Sequence, residues 1–368
     1  MKQIITTVIE TGYQFNNRFT KIINGIASAC KAHSYTFNTL GLSDITNAEY
    51  DNQPIIVLGA SVAWVTSAVD FLCQKKYHPI VVGFNFQNFS CTFITQNHAL
   101  DAYTQAYWFL AKQHRKCAFL GFNPESFCDR AKYSGLLLAT EHTGHHFLEN
   151  DIFKMTTSSQ CVDDFISKAD NYDTIFCSND TVALLLISKL KSPELYNIIS
   201  FGDLYLKQYC SVFFHSLSPD YFNIGKIAVE MHSTLASYSS IVNSTIYVKS
   251  NFNTSAIKDV SIQLPPPPIM TMEDTLLDTQ GLADENATKI DWLNNALERC
   301  NDTDIDLLTK LQKNLTYEQI AEQLYMSTNS VKRRLKRILT NAHITNKKQF
   351  LATTTQLKLD FSLYSPSS

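Results

Sequence analysis

The side chains best placed to do chemistry in this sequence are Lys332, Arg333, Lys336 and Arg337. At helical periodicity they fall on one face. Val331, Leu335, Ile338 and Ala342, at i, i+4, i+7 and i+11, fall on the opposite one. An apolar face fixes such a helix on a small domain. The basic face can then enter a major groove, where lysine and arginine reach guanine O6 and N7 and backbone phosphates. The charge distribution points the same way. The chain of 368 residues has a net charge of −3, but residues 309–358 hold ten Lys/Arg and only Glu318 and Glu322 as acids. The rest then has 21 basic and 32 acidic residues, a net of −11. A basic segment on an acidic body implies a polyanionic partner for that segment, here double-stranded DNA.

The neighbouring elements must position that helix. The sequence predicts a first helix over about 303–312, with Ile305, Leu308 and Leu311 as its stripe. A second follows Thr316, which forms a capping box with Gln319, and packs through Ile320, Ala321 and Leu324. The turn Tyr325-Met326-Ser327 leads into the basic helix, near 328–341, with Ser327 as its cap. A fourth, near 346–354, carries Phe350 and Leu351. Two helices joined by a short turn, the second with one buried and one basic face, make a helix-turn-helix.

The segments IAEQL, MSTNSVKRRLKRIL and TNKKQFL resemble, in order and spacing, the LuxR-type DNA-binding domain. The resemblance covers about 50 residues of the chain. It implies that Lys332, Arg333 and Lys336 face the bases and that Thr328, Asn329, Arg337 and Lys347 contact phosphates. Two positions depart from the pattern. Ser330 replaces the usual Thr before VK, and Asn314 replaces a common Gly between the first two helices, where it can take the same left-handed geometry.

From residue 3 to about 252, short apolar runs alternate with helical stretches. Strands are predicted at 4–9, 54–58, 80–83, 117–121, 174–177, 197–201 and 212–216. Helices are predicted at 17–33, after Ser61, near 101–113, 130–142, 159–169 and 181–191, and after Ser218-Pro219-Asp220. Most of the strands are apolar on both faces, as buried parallel strands are. This order implies open parallel sheets with helices on both faces, and the length favours two lobes. Residues 254–285 are polar, acidic and proline-bearing, with Pro265 to Pro268 as a semi-rigid spacer. They read as a linker or as a strap packed on the body.

Four blocks of the body, NHALDAYTQAYWFLAKQHRKCAFLG (97–121), RAKYSGLLLAT (130–140), TIFCSNDTVALLLISKL (174–190) and NIISFGDLYLKQYCSVFFHSLSPDYFNIGKIAVEMH (197–232), resemble successive blocks of lac-repressor-type regulators. That family shares the periplasmic sugar-binding-protein fold. The resemblance implies a small-molecule effector, a sugar or related polar metabolite, held in an interlobe cleft. By position, Lys132 stands where that family has a ligand-binding Arg, Asn179 and Asp180 match its ND pair, and Asn97 starts its DN block. Gly202 stands where a ligand-binding Asp is usual, with Asp203 next to it, and Asp101 takes a Gly position. Tyr13 and Phe15, near the end of the first strand, can stack on a ligand, and Arg130 reads as a salt-bridge residue at a helix start.

The expected architecture is therefore an α/β two-lobed periplasmic-binding-protein-like body plus a small all-α helix-turn-helix C-terminal domain. Its parts are 1–253, the linker 254–285, the DNA module 286–358 and a tail 359–368. The expected function is a one-component transcription regulator, a homodimer on two half-sites. The alternative is a DNA-binding regulator with a degenerate cleft, controlled by a protein partner or phosphorylation. A phosphoacceptor receiver needs an acidic pair at the end of its first strand, and Glu10-Thr11-Gly12 does not supply one. No GxSxG, P-loop or HExxH occurs, so neither an enzyme nor a cofactor is expected. No apolar run reaches the roughly 18 residues of a membrane helix, and the start MKQIITTVIETGYQ reads as a strand, not a signal peptide. Nine scattered cysteines with no CxxC fit a reduced, cytoplasmic compartment without a metal site.

Overall fold

β1 (Ile4–Ile9), β3 (Pro54–Leu58) and β4 (His78–Val82) are buried almost throughout, as strands with two apolar faces must be. The computed structural model describes residues 4–11, 17–45, 53–86, 89, 91–111, 116–145, 147–202, 204–238, 243–250 and 284–364. The chain divides into two compact units, one of residues 1–108, 124–139 and 218–279, the other of 109–123, 140–217 and 280–368.

The first unit is built on a six-stranded sheet. Besides β1, β3 and β4 it contains β2 (Thr36–Leu40), β5 (Thr92–Gln96) and β11 (Thr245–Val248), in the order β11-β5-β4-β3-β1-β2, with every pairing parallel. Helices α1 (Asn17–Ala32), α2 (Val62–Gln74) and α7 (Tyr221–Tyr238) belong to it. So do most of α3 (His98–Leu110) and the first part of α4 (Phe127–His142). Ser61 caps α2 as expected, its Oγ accepting from the Trp64 N–H. α1 and α7 touch backbone to backbone. A Cβ at Gly25 would lie 2.0 Å from the Phe222 carbonyl oxygen, and one at Gly225 would lie 2.1 Å from that of Ile22, so both positions need glycine.

The second unit carries a five-stranded parallel sheet. Its strands are β6 (Cys117–Phe122), β7 (Ile152–Lys154), β8 (Thr174–Cys177), β9 (Asn197–Phe201) and β10 (His215–Leu217), in the order β10-β9-β8-β6-β7. Helices α5 (Ser158–Ile166) and α6 (Asp180–Lys189) flank this sheet. The same unit includes five C-terminal helices: α8 (Glu285–Glu298), α9 (Asp302–Gln312), α10 (Tyr317–Gln323), α11 (Thr328–Asn341) and α12 (Lys347–Gln356).

One apolar core runs from the sheet side of this unit, through Val162, Phe165, Leu186 and Tyr209, into Ile290, Leu297, Leu308, Val331, Phe350 and Phe361. α8 packs against α5, α6 and the 3-10 helix Tyr205–Tyr209. Its Asn294 Oδ1 accepts from the Leu206 N–H at 3.0 Å. Asp284 caps α8 through the Asn286 and Ala287 N–H groups and also accepts from Ser159 N–H on α5. At the far end, the Asp360 N–H donates to the Tyr209 carbonyl at 2.7 Å and Ser211 N–H to that of Lys358 at 2.8 Å. Of the expected linker 254–285, residues 254–283 lie outside the described ones, so neither the linker nor the strap reading is addressed there; its last two residues instead start α8, Asp284 as the cap and Glu285 as the first helical residue.

The strand expected at 212–216 is shorter and shifted, His215–Leu217, and Phe213 ahead of it is 77 % exposed. The helix α8 was not anticipated.

Candidate nucleic-acid interface and ligand sites

The caps that sequence spacing predicts around the basic helix are formed. Thr316 Oγ1 accepts from the Gln319 N–H, and the Gln319 side chain accepts from the Thr316 N–H at 2.9 Å. Ser327 Oγ accepts from the Ser330 N–H at 3.1 Å and starts α11. Asn314 and Tyr325 adopt left-handed φ values of 60° and 52°, which closes the turns before α10 and α11. Val331, Leu335 and Ile338 are buried, and Lys332, Arg333 and Lys336 are exposed. Asn329 is exposed, and Thr328 and Lys347 are half-buried.

Arg337 differs from the other three cations. Its Nη2 donates to the Asp304 Oδ2, and Arg334 Nη1 donates to Asp304 Oδ1 at 2.7 Å. Asp304 lies on α9 and is fully buried, so these guanidiniums supply the charge that lets a carboxylate sit there. Sequence reading missed Asp304 and Arg334 as partners. The signal was present in the spacing of Asn301 and Asp304, which form a reciprocal capping box.

In the first unit, a polar group gathers around His98. Lys132 Nζ donates to Asp129 Oδ1 at 3.0 Å, both residues being buried. Burial pushes the His98 imidazole down to about 4, with the positive charge of Lys132 acting in the same sense. Asp101 accepts from Ser250 Oγ at 2.6 Å, and burial pushes its carboxyl up. Asn97 Oδ1 accepts from the Leu100 N–H at 3.0 Å, the geometry of a cap on α3. Lys132 and Asn97 thus belong to one unit, and Asp129 and His98 are neighbours that sequence reading left out. Arg130 donates to the carbonyls of Pro124 and Glu125 ahead of its helix. Tyr13 and Phe15 lie outside the described residues.

In the second unit, Asn179 Oδ1 accepts from the Val182 N–H at 3.0 Å and caps α6. Asp180 is buried and accepts from Ser200 Oγ, from Ser216 Oγ at 2.8 Å and from the Leu204 N–H at 3.0 Å. Its carboxylate therefore ties together β9, β10 and the segment after Gly202. A Cβ at Gly202 would sit 2.7 Å from the Asp180 carboxyl carbon. This is the physical reason why a side chain, and above all a second carboxylate, is missing at that position. Asp203 lies outside the described residues.

No family model and no curated protein matches the chain. Solved structures do. The transcription regulator CcpA of Lactococcus lactis superposes with a TM-score of 0.53 at 16% identity, over 68% of this chain and 97% of that one. The fold is periplasmic-binding-protein-like. A LacI family transcriptional regulator from Enterococcus faecium with bound ribose gives 0.52 at 15% identity, over 68% and 96%. GanP, a glucose-galactose binding protein from Geobacillus stearothermophilus, gives 0.53 at 12% identity, over 68% and 96%. The two all-parallel sheets, with helices beside them, are what this chain shares with those structures. Among the described residues no helix is long and apolar enough to cross a membrane, and no group of metal-binding side chains is found.

Proposed function

We propose that this chain is a transcription regulator that binds double-stranded DNA through a helix-turn-helix made by α10 and α11. The observation that carries the reading is α11 itself, whose Val331, Leu335 and Ile338 are at most 3% exposed and whose Lys332, Arg333 and Lys336 face outward. A second feature supports it. The first turns of α11 and α12 hold no acid, and α12 begins with Lys347 and Lys348. Cations at a helix N-terminus cost about 0.3–1 kcal/mol each, and a phosphate at the same place reverses the sign. Lys332, Arg333 and Lys336 then read bases, and Thr328, Asn329 and Lys347 grip phosphates, with two copies of the chain on two half-sites.

The α/β units serve as the sensor in this reading, and the class of effector is a sugar or related polar metabolite. Support comes from the fold, since similar chains are solved with ribose or described as glucose-galactose binding. Lys132 and Asn97, both in the first unit, are the residues proposed to meet it. One observation favours the alternative, a degenerate sensor under the control of a protein partner or phosphorylation. The Asp180 carboxylate is fully used inside the fold, and Gly202 has no room for another.

Selection of duplexes from a random pool with the full chain tests the first reading. Recovery of a paired motif that K332A or K336A no longer prefers supports it, and recovery of no motif sinks it. A thermal-shift screen against sugars, sugar phosphates, purines and amino acids separates the two sensor readings. A ligand at a hundred times its Kd adds about 2.7 kcal/mol of stability.

A further inference from the structure

The ring of Tyr317, the first residue of α10, has two ammonium groups within cation–π range. Lys332 Nζ on α11 lies 5.8 Å from its centroid and Lys347 Nζ on α12 lies 5.5 Å from it. These lysines are fifteen positions apart in sequence and come from different helices. They repel each other, and Lys347 also sits at the positive end of its own helix. The ring's negative face is attractive to both and compensates this repulsion. Tyr317 itself is half-buried and packs against the core that α11 shares, so the ring does not wander.

We infer that Tyr317 is a positioning residue for DNA, holding Lys332 and Lys347 together so that a base-facing cation and a phosphate-facing cation are ordered before the duplex arrives. The inference rests on the DNA-binding reading above. Lysine is otherwise a floppy donor, and ordering a long side chain at an interface opposes binding. A ring that has already ordered two of them removes part of that opposition. Each ammonium keeps donors for DNA, because a cation–π contact does not consume all three N–H bonds.

The test uses the full chain and a labelled duplex of mixed sequence, titrated over a range of KCl concentrations. Tyr317→Leu should weaken binding by about tenfold at fixed salt, the order expected when two side chains lose their pre-ordering. The slope of log affinity against log salt should stay where it was, since both charges remain. Lys347→Gln, which removes a phosphate contact, should lower that slope by about 0.9, and Lys332→Gln, which removes a base-facing cation, should lower it by less. Tyr317→Phe, which keeps the ring, should restore most of the loss. In the Lys332→Gln/Lys347→Gln background, Tyr317→Leu should cost nothing further. The inference is overturned if Tyr317→Leu binds as tightly as the parent, if its loss persists in that double background, or if Tyr317→Phe loses as much.

Failure of the parent chain to bind the duplex at low salt is a different result, which removes the DNA-binding reading and this inference with it. A second measurement needs no substitution of Tyr317. With lysines dimethylated by a carbon-13 reagent, the Lys332 and Lys347 methyl resonances, assigned from Lys→Arg variants, should be shifted upfield by the ring current. Random-coil positions for both overturn the inference.

Discussion

Asp304 on α9 accepts a hydrogen bond from Arg334 on α11 at 2.7 Å, thirty residues away in sequence. The same carboxylate receives Arg337 and the Asn301 N–H. It therefore caps its own helix and fixes the angle of the basic one. Removing it leaves two guanidiniums that are partly solvated, so the leftover charges are tolerable, but the cap and both bridges are lost. Asp304→Ala should cost about 2–4 kcal/mol of unfolding free energy. Arg334→Ala should cost less, because Arg337 still neutralises the buried carboxylate. Chemical denaturation of the full chain checks the order, and a larger loss for Arg334→Ala than for Asp304→Ala would contradict it.

The same geometry separates Arg337 from its neighbours on α11. Lys336 is exposed and has no ion pair among the described residues, whereas Arg337 is engaged by Asp304. Lys336→Ala should cost about 1–3 kcal/mol on a selected site and relax preference at one base pair. Arg337→Ala should act mainly on stability, with a smaller effect on the salt slope than a free phosphate contact would have. Equal losses of sequence preference for the two variants would show that Arg337 leaves Asp304 when DNA binds.

Much of this could be read from the sequence because it is local. Caps at Thr316 and Ser327, the left-handed Asn314 and the stripe of α11 depend on residues within one or two turns. The fully apolar strands announce burial on two faces, hence a parallel sheet. What escaped was edge structure and tertiary pairing. β2, β7 and β11 are short edge strands, and β2 and β11 have no buried residue to mark them; β5 escaped as well, although it is a buried inner strand. α8 carries its apolar face at Ile290, Leu293 and Leu297 but sits beside a long polar stretch that masked it. The Asp304 bridges, the Lys132–Asp129 pair and the Asp180 cluster join groups whose partners no local rule names, although Lys132–Asp129 is only three residues apart.

Gly202 offers a direct test of the second unit. Its missing Cβ would press on the Asp180 carboxyl group, which already holds Ser200, Ser216 and the Leu204 N–H. Gly202→Asp places a second carboxylate against a buried one, and like charges in a poorly solvated place cannot both stay ionised. The expected outcome is a lower Tm with no gain of sugar-dependent stabilisation. Gly202→Asp combined with Asp180→Asn should recover part of the loss, since one charge is gone. An unchanged Tm for the single variant would mean that Asp180 turns away readily, and that the position remains open to a ligand-binding side chain.

His232 in α7 sets a pH dependence on the first unit. It is fully buried, and burial pushes its imidazole from 6.5 down to about 4. Above pH 6.5 both folded and unfolded chains hold it neutral, so it has no effect there. Between 6.5 and about 4 the unfolded chain takes up a proton that the folded chain refuses, and stability falls as pH falls. The slope from one such group approaches about 1.4 kcal/mol per pH unit inside that window. His98 acts in the same direction, while Asp101, whose carboxyl is pushed up, opposes it by binding a proton sooner when folded. His232 is the cleaner probe, because burial is the largest cause of its shift and a backbone hydrogen bond at Pro54 opposes it. Urea midpoints of the parent and of His232→Gln, measured across pH 7.5 to 4.5 as about three points per unit, should show a shallower fall for the variant even if it is less stable throughout. Parallel curves would mean that His232 is protonated in the folded chain and that its burial is relieved by local opening.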